Sequence, residues 1–156
     1  MMYQSEEDGK NERRIADILE AELGFTVLTT QKGSSIDYMM YRDGVICGIG
    51  ECKVRKGKYS YERMAELGGV MLDVSKVKVA RFMSKKLMVN FYFVVELTNA
   101  LLYLEVKWDK AFSLKVKNMR LNVVRDVNDK DDVALFPIEK FTVIKHDPET
   151  IPAAVA

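Results

Sequence analysis

Between residues 36 and 54 the chain carries two apolar runs that meet at Asp43-Gly44, and this stretch constrains the fold more than any other. Asp-Gly between apolar runs is a tight-turn signal, so residues 36–41 and 45–54 are expected to pair as a hairpin. Nearly every position in both runs is apolar, the pattern of central strands covered on two faces. Apart from Arg42 and Asp43 at the turn, the only charges in them are Asp37, Glu51 and Lys53.

Register decides whether those charges can meet. A two-residue loop places Arg42 opposite Val45 and Asp37 opposite Gly50, which leaves Glu51 on the other face. A three-residue loop, with Gly44 left-handed in a bulge, places Tyr41 opposite Val45 and sets Asp37 diagonal to Glu51 on one face. Asp-Gly suits both. In the bulged register one face carries Asp37, Met39, Val45, Cys47, Ile49, Glu51 and Lys53. The other carries Ile36, Tyr38, Met40, Ile46, Cys52 and Val54. A site made from Asp37 and Glu51 therefore demands the bulged turn, or a bulge elsewhere in the hairpin.

Around the hairpin, residues 11–23 read as an amphipathic helix with Ile15, Ala16, Leu19 and Leu23 inward, and Glu12 falls on that same face. Residues 25–30 read as a strand and 31–35 as a polar loop. Residues 57–66 form a basic, tyrosine-containing loop or irregular helix, and 69–72 a short strand. A helix over 75–87 points Val77, Ala80, Met83 and Leu87 at the core and Lys76, Lys85 and Lys86 outward. Strands follow at 91–97 and 101–106. Residues 107–132 read as a ragged hairpin carrying Leu121 to Val123, and 136–144 as a last ordered element. The chain is expected to form one domain over 1–146, with a disordered tail over 147–156.

No signal-peptide pattern and no apolar run near the roughly 18 residues of a membrane span occur, so a cytoplasmic protein without a membrane partner is expected. Cys47 and Cys52 are an odd number of residues apart on one strand and are expected to point to opposite faces as free thiols. A zinc site is not expected: the lone histidine, His146, lies in the expected tail region.

Asp37 and Glu51 on neighbouring strands can hold a hard divalent cation, and Lys53, two residues after Glu51, projects from the same face. Metal-assisted phosphodiester hydrolysis needs that combination. An acidic-x-Lys triplet alone is weak. Three occur (Asp8-Gly9-Lys10, Glu51-Cys52-Lys53 and Glu105-Val106-Lys107), about as many as chance placement gives, but only the second has a companion acid on a neighbouring strand. Charge distribution adds to this. The first helix region is acidic, whereas a basic stretch starts at Lys53 and includes Arg55, Lys56, Lys58 and Arg63, which suits a phosphate backbone or a solvated face.

Helix with Glu12, strand, strand with Asp37, strand with Glu51-x-Lys53, then helix and strand: over residues 10–97 this order resembles the PD-(D/E)XK nuclease superfamily. Ile36 stands where the motif's name has proline. The resemblance implies an α/β (α+β) fold with a restriction-endonuclease-like αβββαβ core, a central mixed sheet flanked by helices and extra C-terminal strands. Small size is most like phage nucleases or Holliday-junction resolvases, acting in the cytoplasm of a bacterium or phage-infected host cell. Implied catalytic residues are Glu12, Asp37, Glu51 and Lys53. Asp37, Glu51 and the Cys52 backbone carbonyl would bind Mg²⁺, with Mn²⁺ as substitute, and Glu12 would hold a second ion or a bound water. The partner would be nucleic acid, DNA foremost, contacted by Lys32, Ser34, Ser35, Arg55, Lys56, Lys58 and Arg63; a homodimer is compatible with the resemblance. Tyr59 and Tyr61 would stack on unpaired bases or pack as anchors.

Two rival readings stand beside this one. The first is a catalytically inert nucleic-acid-binding or assembly subunit of the same fold. The second is an unrelated α+β interaction domain in which Glu51 and Lys53 form a structural salt bridge, and a two-residue Asp43-Gly44 turn would favour it.

Overall fold

A computed structural model describes residues 6–31, 33–108, 115–120 and 130–149. Helix α1 (Glu6–Leu23) is followed by β1 (Thr26–Thr29), β2 (Tyr38–Arg42), β3 (Val45–Val54), α2 (Tyr61–Glu66), β4 (Val70–Asp73) and α3 (Val74–Leu87). Then come β5 (Asn90–Glu96), β6 (Ala100–Val106), β7 (Lys115–Arg120), β8 (Lys130–Phe136), a 3₁₀ turn (Ile138–Lys140) and β9 (Thr142–His146). Six strands form one mixed sheet in the order β1-β2-β3-β5-β6-β9, with only β3 and β5 parallel. The helix-linked crossover from β3 to β5 makes that one parallel pair, as parallel neighbours require.

Both faces of the sheet are covered. On one, Ile15, Ala16 and Leu19 of α1 pack on Val27, Tyr38, Met40, Tyr92 and Val94. Gly48 and Gly50 make room there, since a Cβ at Gly48 would come within 2.8 Å of the Tyr92 ring and one at Gly50 within 3.2 Å of the Tyr38 ring. On the other face, Val77 and Ala80 of α3 pack with Ile49, Phe91, Phe93 and Val95. A second sheet, β4-β8-β7, closes that core with Val70, Leu72, Ala134 and Phe136. Phe91 and Phe93 are almost wholly buried; each contributes about 1.5–3 kcal/mol, which makes β5 a rigid support for its neighbour β3.

The hairpin adopts neither register expected from its turn alone. Arg42 lies opposite Val45 and Tyr41 opposite Ile46, so the loop has two residues, with Asp43 at φ 52° and Gly44 at φ 76°. Both angles are positive, as a type I′ turn requires. The pairing then slips by one: Met40 faces Gly48, Met39 faces Ile49 and Tyr38 faces Gly50. Cys47 is the extra residue of this bulge. Below it the sides follow the slipped register; above it they exchange, so Ile46 packs with the α3-side core and Cys47 with the α1-side core. Cys47 and Cys52 thus share a side, contrary to expectation, and both remain free. Ile36 also turns to the α3 side, because it precedes β2, where strand alternation has not begun.

The C-terminal part departs from expectation in two places. The last element is split into β8, the 3₁₀ turn and β9, with Pro137 between β8 and the turn. Residues 147–149 are held rather than frayed: the Asp147 N–H donates to the Asn99 carbonyl (2.8 Å) and the Glu149 N–H to the Glu62 carboxylate (3.0 Å). Glu62 also accepts from Asn99 and meets His146 Nε2 at 3.1 Å, and the Asn99 amide leads in holding its carboxyl down at about 2. His146 is therefore the end of a paired strand. Residues 121 to 123 and 150–156 lie outside the described residues. Among the described residues, no helix is long and apolar enough to cross a membrane.

Candidate active site

Asp37 lies just before β2, one residue beyond the last hairpin pair, Tyr38 with Gly50, and its carboxyl neighbours that of Glu51. The Asp37 N–H donates to the Gly50 carbonyl (2.9 Å), and the Cys52 N–H donates to Asp37 Oδ2 (2.8 Å). Asp37 is thereby fixed by main chain on both sides. On its other side the Thr30 N–H donates to the Asp37 carbonyl (2.9 Å), which prolongs the β1–β2 ladder to the site. The bulge at Cys47 is the second of the two devices that would bring the acids to one face, a bulge within the hairpin in place of a three-residue turn.

Glu51 is 6% exposed, and its Oε1 accepts from Lys76 Nζ at 2.6 Å. Burial foremost, and then the neighbouring Asp37 charge, push the Glu51 carboxyl up to about 7 in spite of Lys76. Two carboxylates in one dry site disfavour joint ionisation, and a hard cation between them relieves that repulsion. The donor set, two carboxylate oxygens with main-chain oxygen nearby, fits Mg²⁺, which keeps several waters and takes one or two protein carboxylates.

Lys53 leaves β3 on the same face. Its Nζ donates to the Met71 carbonyl of β4, and burial, with Arg55 adding to it, brings the amine down to about 8. It does not pair with Glu51, so the structural salt bridge of the rival interaction domain is not formed even though the turn has two residues. Glu12 stands on the α1 side: its backbone carbonyl accepts from the Tyr38 hydroxyl (2.8 Å), and its charge helps raise the buried Cys52 thiol. The structure does not join it to Asp37 and Glu51 in one set. Among the described residues, no three His, Cys, Asp or Glu side chains are grouped to hold a metal.

The expected nucleic-acid contacts are unequal. Lys56 and Lys58 are exposed beyond the end of β3, and Ser34 and Ser35 are exposed in the loop before β2. The Ser34 N–H already donates to the Gln31 carbonyl (3.0 Å), so it is not aimed at phosphate. Arg55 is half-buried, with Nη1 donating to the Val54 carbonyl (3.0 Å), and Arg63 pairs with Glu66 at 2.8 Å. Lys32 lies outside the described residues. Tyr59 packs against the core, and Tyr61 lies 4.3 Å from the His146 ring, so both are anchors here.

Sequence reasoning missed Lys76, taken to face solvent. The signal was present: Lys76 is one helical turn before buried Ala80 and two before buried Ser84. An open groove of about 580 Å³, lined by Leu28, Thr30, Gly33, Met39 and Tyr41 among others, was missed as well. It lies along the β1–β2 edge, and neither Asp37 nor Glu51 lines it.

A helix, a three-strand meander whose hairpin carries two acids and a lysine, and a helix leading to a parallel strand define the restriction-endonuclease-like class of nucleases. Residues 1–144 match the family described as "Phage putative PDDEXK endonuclease", and the chain belongs to that family. It is thus a nuclease of the PDDEXK type, and the resemblance first drawn over residues 10–97 extends across nearly the whole chain. Among solved structures, Hjc of Archaeoglobus fulgidus, a Holliday junction resolvase from an archaeal hyperthermophile, is similar at 12% identity with a TM-score of 0.46. That match covers 81% of this chain and 83% of the resolvase. No curated protein matches the sequence.

Proposed function

We propose that the chain is an endonuclease that hydrolyses phosphodiester bonds of nucleic acid, DNA foremost, with Mg²⁺ as cofactor and Mn²⁺ as substitute. The observation that carries this reading is the closeness of the Asp37 and Glu51 carboxyls at the end of the bulged hairpin, with Glu51 buried beside that second carboxylate. Asp37 and Glu51, with the Cys52 carbonyl, would hold the cation. Bound there, Mg²⁺ would polarise the phosphate and lower the pKa of the attacking water.

The chain's own residues supply the rest. Main-chain hydrogen bonds fix Asp37, so its carboxylate is preorganised. Lys53, still mostly protonated at pH 7, places a positive charge on the same strand face and would stabilise charge developing on the phosphate. Glu12, from α1, would act through a water or a second ion. Lys56 and Lys58 would follow the phosphate backbone. By resemblance, products would carry 5′-phosphates.

The test is a cleavage panel of linear duplex, single strand, flap, four-way junction and structured RNA. Each is incubated with Mg²⁺, Mn²⁺ or EDTA, beside Glu51→Ala and Lys53→Ala proteins. Metal-dependent cutting lost in both variants is expected, and the preferred substrate names the branch. Folded protein that binds nucleic acid yet cuts none of these substrates would instead favour the inert subunit.

A further inference from the structure

The lysine nominated by the motif, Lys53, does not touch the carboxylate pair. The lysine that does is Lys76, in the first turn of α3. Its Nζ lies 2.6 Å from Glu51 Oε1, whereas Lys53 Nζ is engaged by the Met71 carbonyl. Exposure separates the partners: the Glu51 side chain is 8% exposed and that of Lys76 is 31% exposed. The acid is fixed on a central strand. The amine ends a flexible four-carbon stem at the edge of the site, with solvent within reach.

Glu51 lies beside Asp37, and Lys53 on the same strand gives its hydrogen bond to the Met71 carbonyl rather than to either acid. A short charge-assisted hydrogen bond from α3 does so. A divalent cation bound by the two carboxylates would share Glu51 with the ammonium, and like charges so close repel strongly. Lys76 occupies Oε1, so ammonium and cation compete for the negative charge of one carboxylate.

We propose that Lys76 is a built-in counter-ion that holds Glu51 in the cation-free protein, competes with the divalent cation for it and swings toward solvent when the cation binds. This inference rests on the cation site proposed above. Lys76 is a positioning residue here: it keeps the acid pair folded and ready, and it sets the cation concentration at which the site fills.

Mn²⁺ binding to the full chain, followed by electron paramagnetic resonance of the free ion at pH 7.5, tests this. Lys76→Met is expected to bind Mn²⁺ about tenfold more tightly than wild type, the loss of one charged hydrogen-bond competitor. Lys76→Arg, which keeps the charge, is expected to bind as wild type does. Glu51→Gln is expected to abolish binding in either background. Saturating Mn²⁺ should also raise the melting temperature of Lys76→Met more than that of wild type. If Lys76→Met does not fold, Lys76→Gln carries the same expectation. Glu51-dependent binding that is equal or weaker without Lys76 would overturn the counter-ion role and leave the cation site standing. No Glu51-dependent Mn²⁺ binding in wild type or in Lys76→Met would overturn the cation site and this inference with it.

Discussion

Glu51 and Glu96 are buried almost equally, at 6% and 8% exposure, on opposite faces of the same sheet. Their surroundings differ in kind. Glu96, on β5 facing α1, receives both prongs of the Arg14 guanidinium, at 2.9 and 2.6 Å, and Asn11 steadies the same arginine at 3.1 Å. Glu51, on β3 facing α3, has one lysine prong and a second carboxylate for a neighbour. A planar fork saturates a carboxylate, whereas a single ammonium beside a second acid does not. Equal burial therefore marks a closed structural pair on one face and a poised site on the other. What separates them is whether the partners balance the charge.

The widest gap between the two acids is expected in cleavage. Glu51→Gln should reduce phosphodiester hydrolysis by on the order of 10³-fold, the scale of losing a principal charge-stabilising group. Glu96→Gln, assayed as folded protein on the same substrate, should stay within a few-fold of wild type. Equal losses from both would break the comparison.

Stability should run the other way. Arg14→Met leaves Glu96 buried without its fork and should cost roughly 3 kcal/mol, at the low end for a broken buried pair because the Arg14 side chain is itself 44% exposed. A lower urea midpoint at unchanged slope would report it.

Glu51→Gln, by contrast, should stabilise the cation-free protein at pH 8 by on the order of 2 kcal/mol. An acid whose folded pKa is raised from 4.5 to about 7 binds its proton more tightly when folded. Its contribution to stability then falls as pH rises from 4.5 to 7 and is flat above. The variant's advantage should accordingly vanish near pH 4. Melting curves at the two pH values check the sign.

The smallest effect belongs to the exposed lysines beyond β3. Replacing Lys56 and Lys58 together by alanine should weaken nucleic-acid binding several-fold and make its dependence on log salt shallower by about two. A filter-binding series across salt concentrations measures it.

The acids themselves were legible in the sequence, because charges inside apolar strands are rare and three of them stood in two facing runs. Element order was legible as well: α1 and α3 carry a helical period, and the hairpin strands and β5 are near-continuous apolar runs. The register was not. Asp43-Gly44 suits either turn, and the slip at Cys47 goes with the packing of Tyr38, Met40 and Tyr92 over Gly48 and Gly50, which no local pattern encodes. The second sheet was hidden because β4 and β8 are far apart in sequence yet pair residue for residue, Val70 with Phe136. Lys76 was misplaced for a simpler reason: a lysine on a helix is ordinarily solvated, and only the acid waiting across the core turns it inward.

The most direct test is the titration of Glu51 itself, followed by carbon NMR of a side-chain-labelled, cation-free protein and repeated with saturating Mg²⁺. A carboxyl that titrates near 7 without the cation and well below 4.5 with it is the predicted result. A carboxyl that titrates near 4.5 in both would contradict the claim that Glu51 is held poised for a cation.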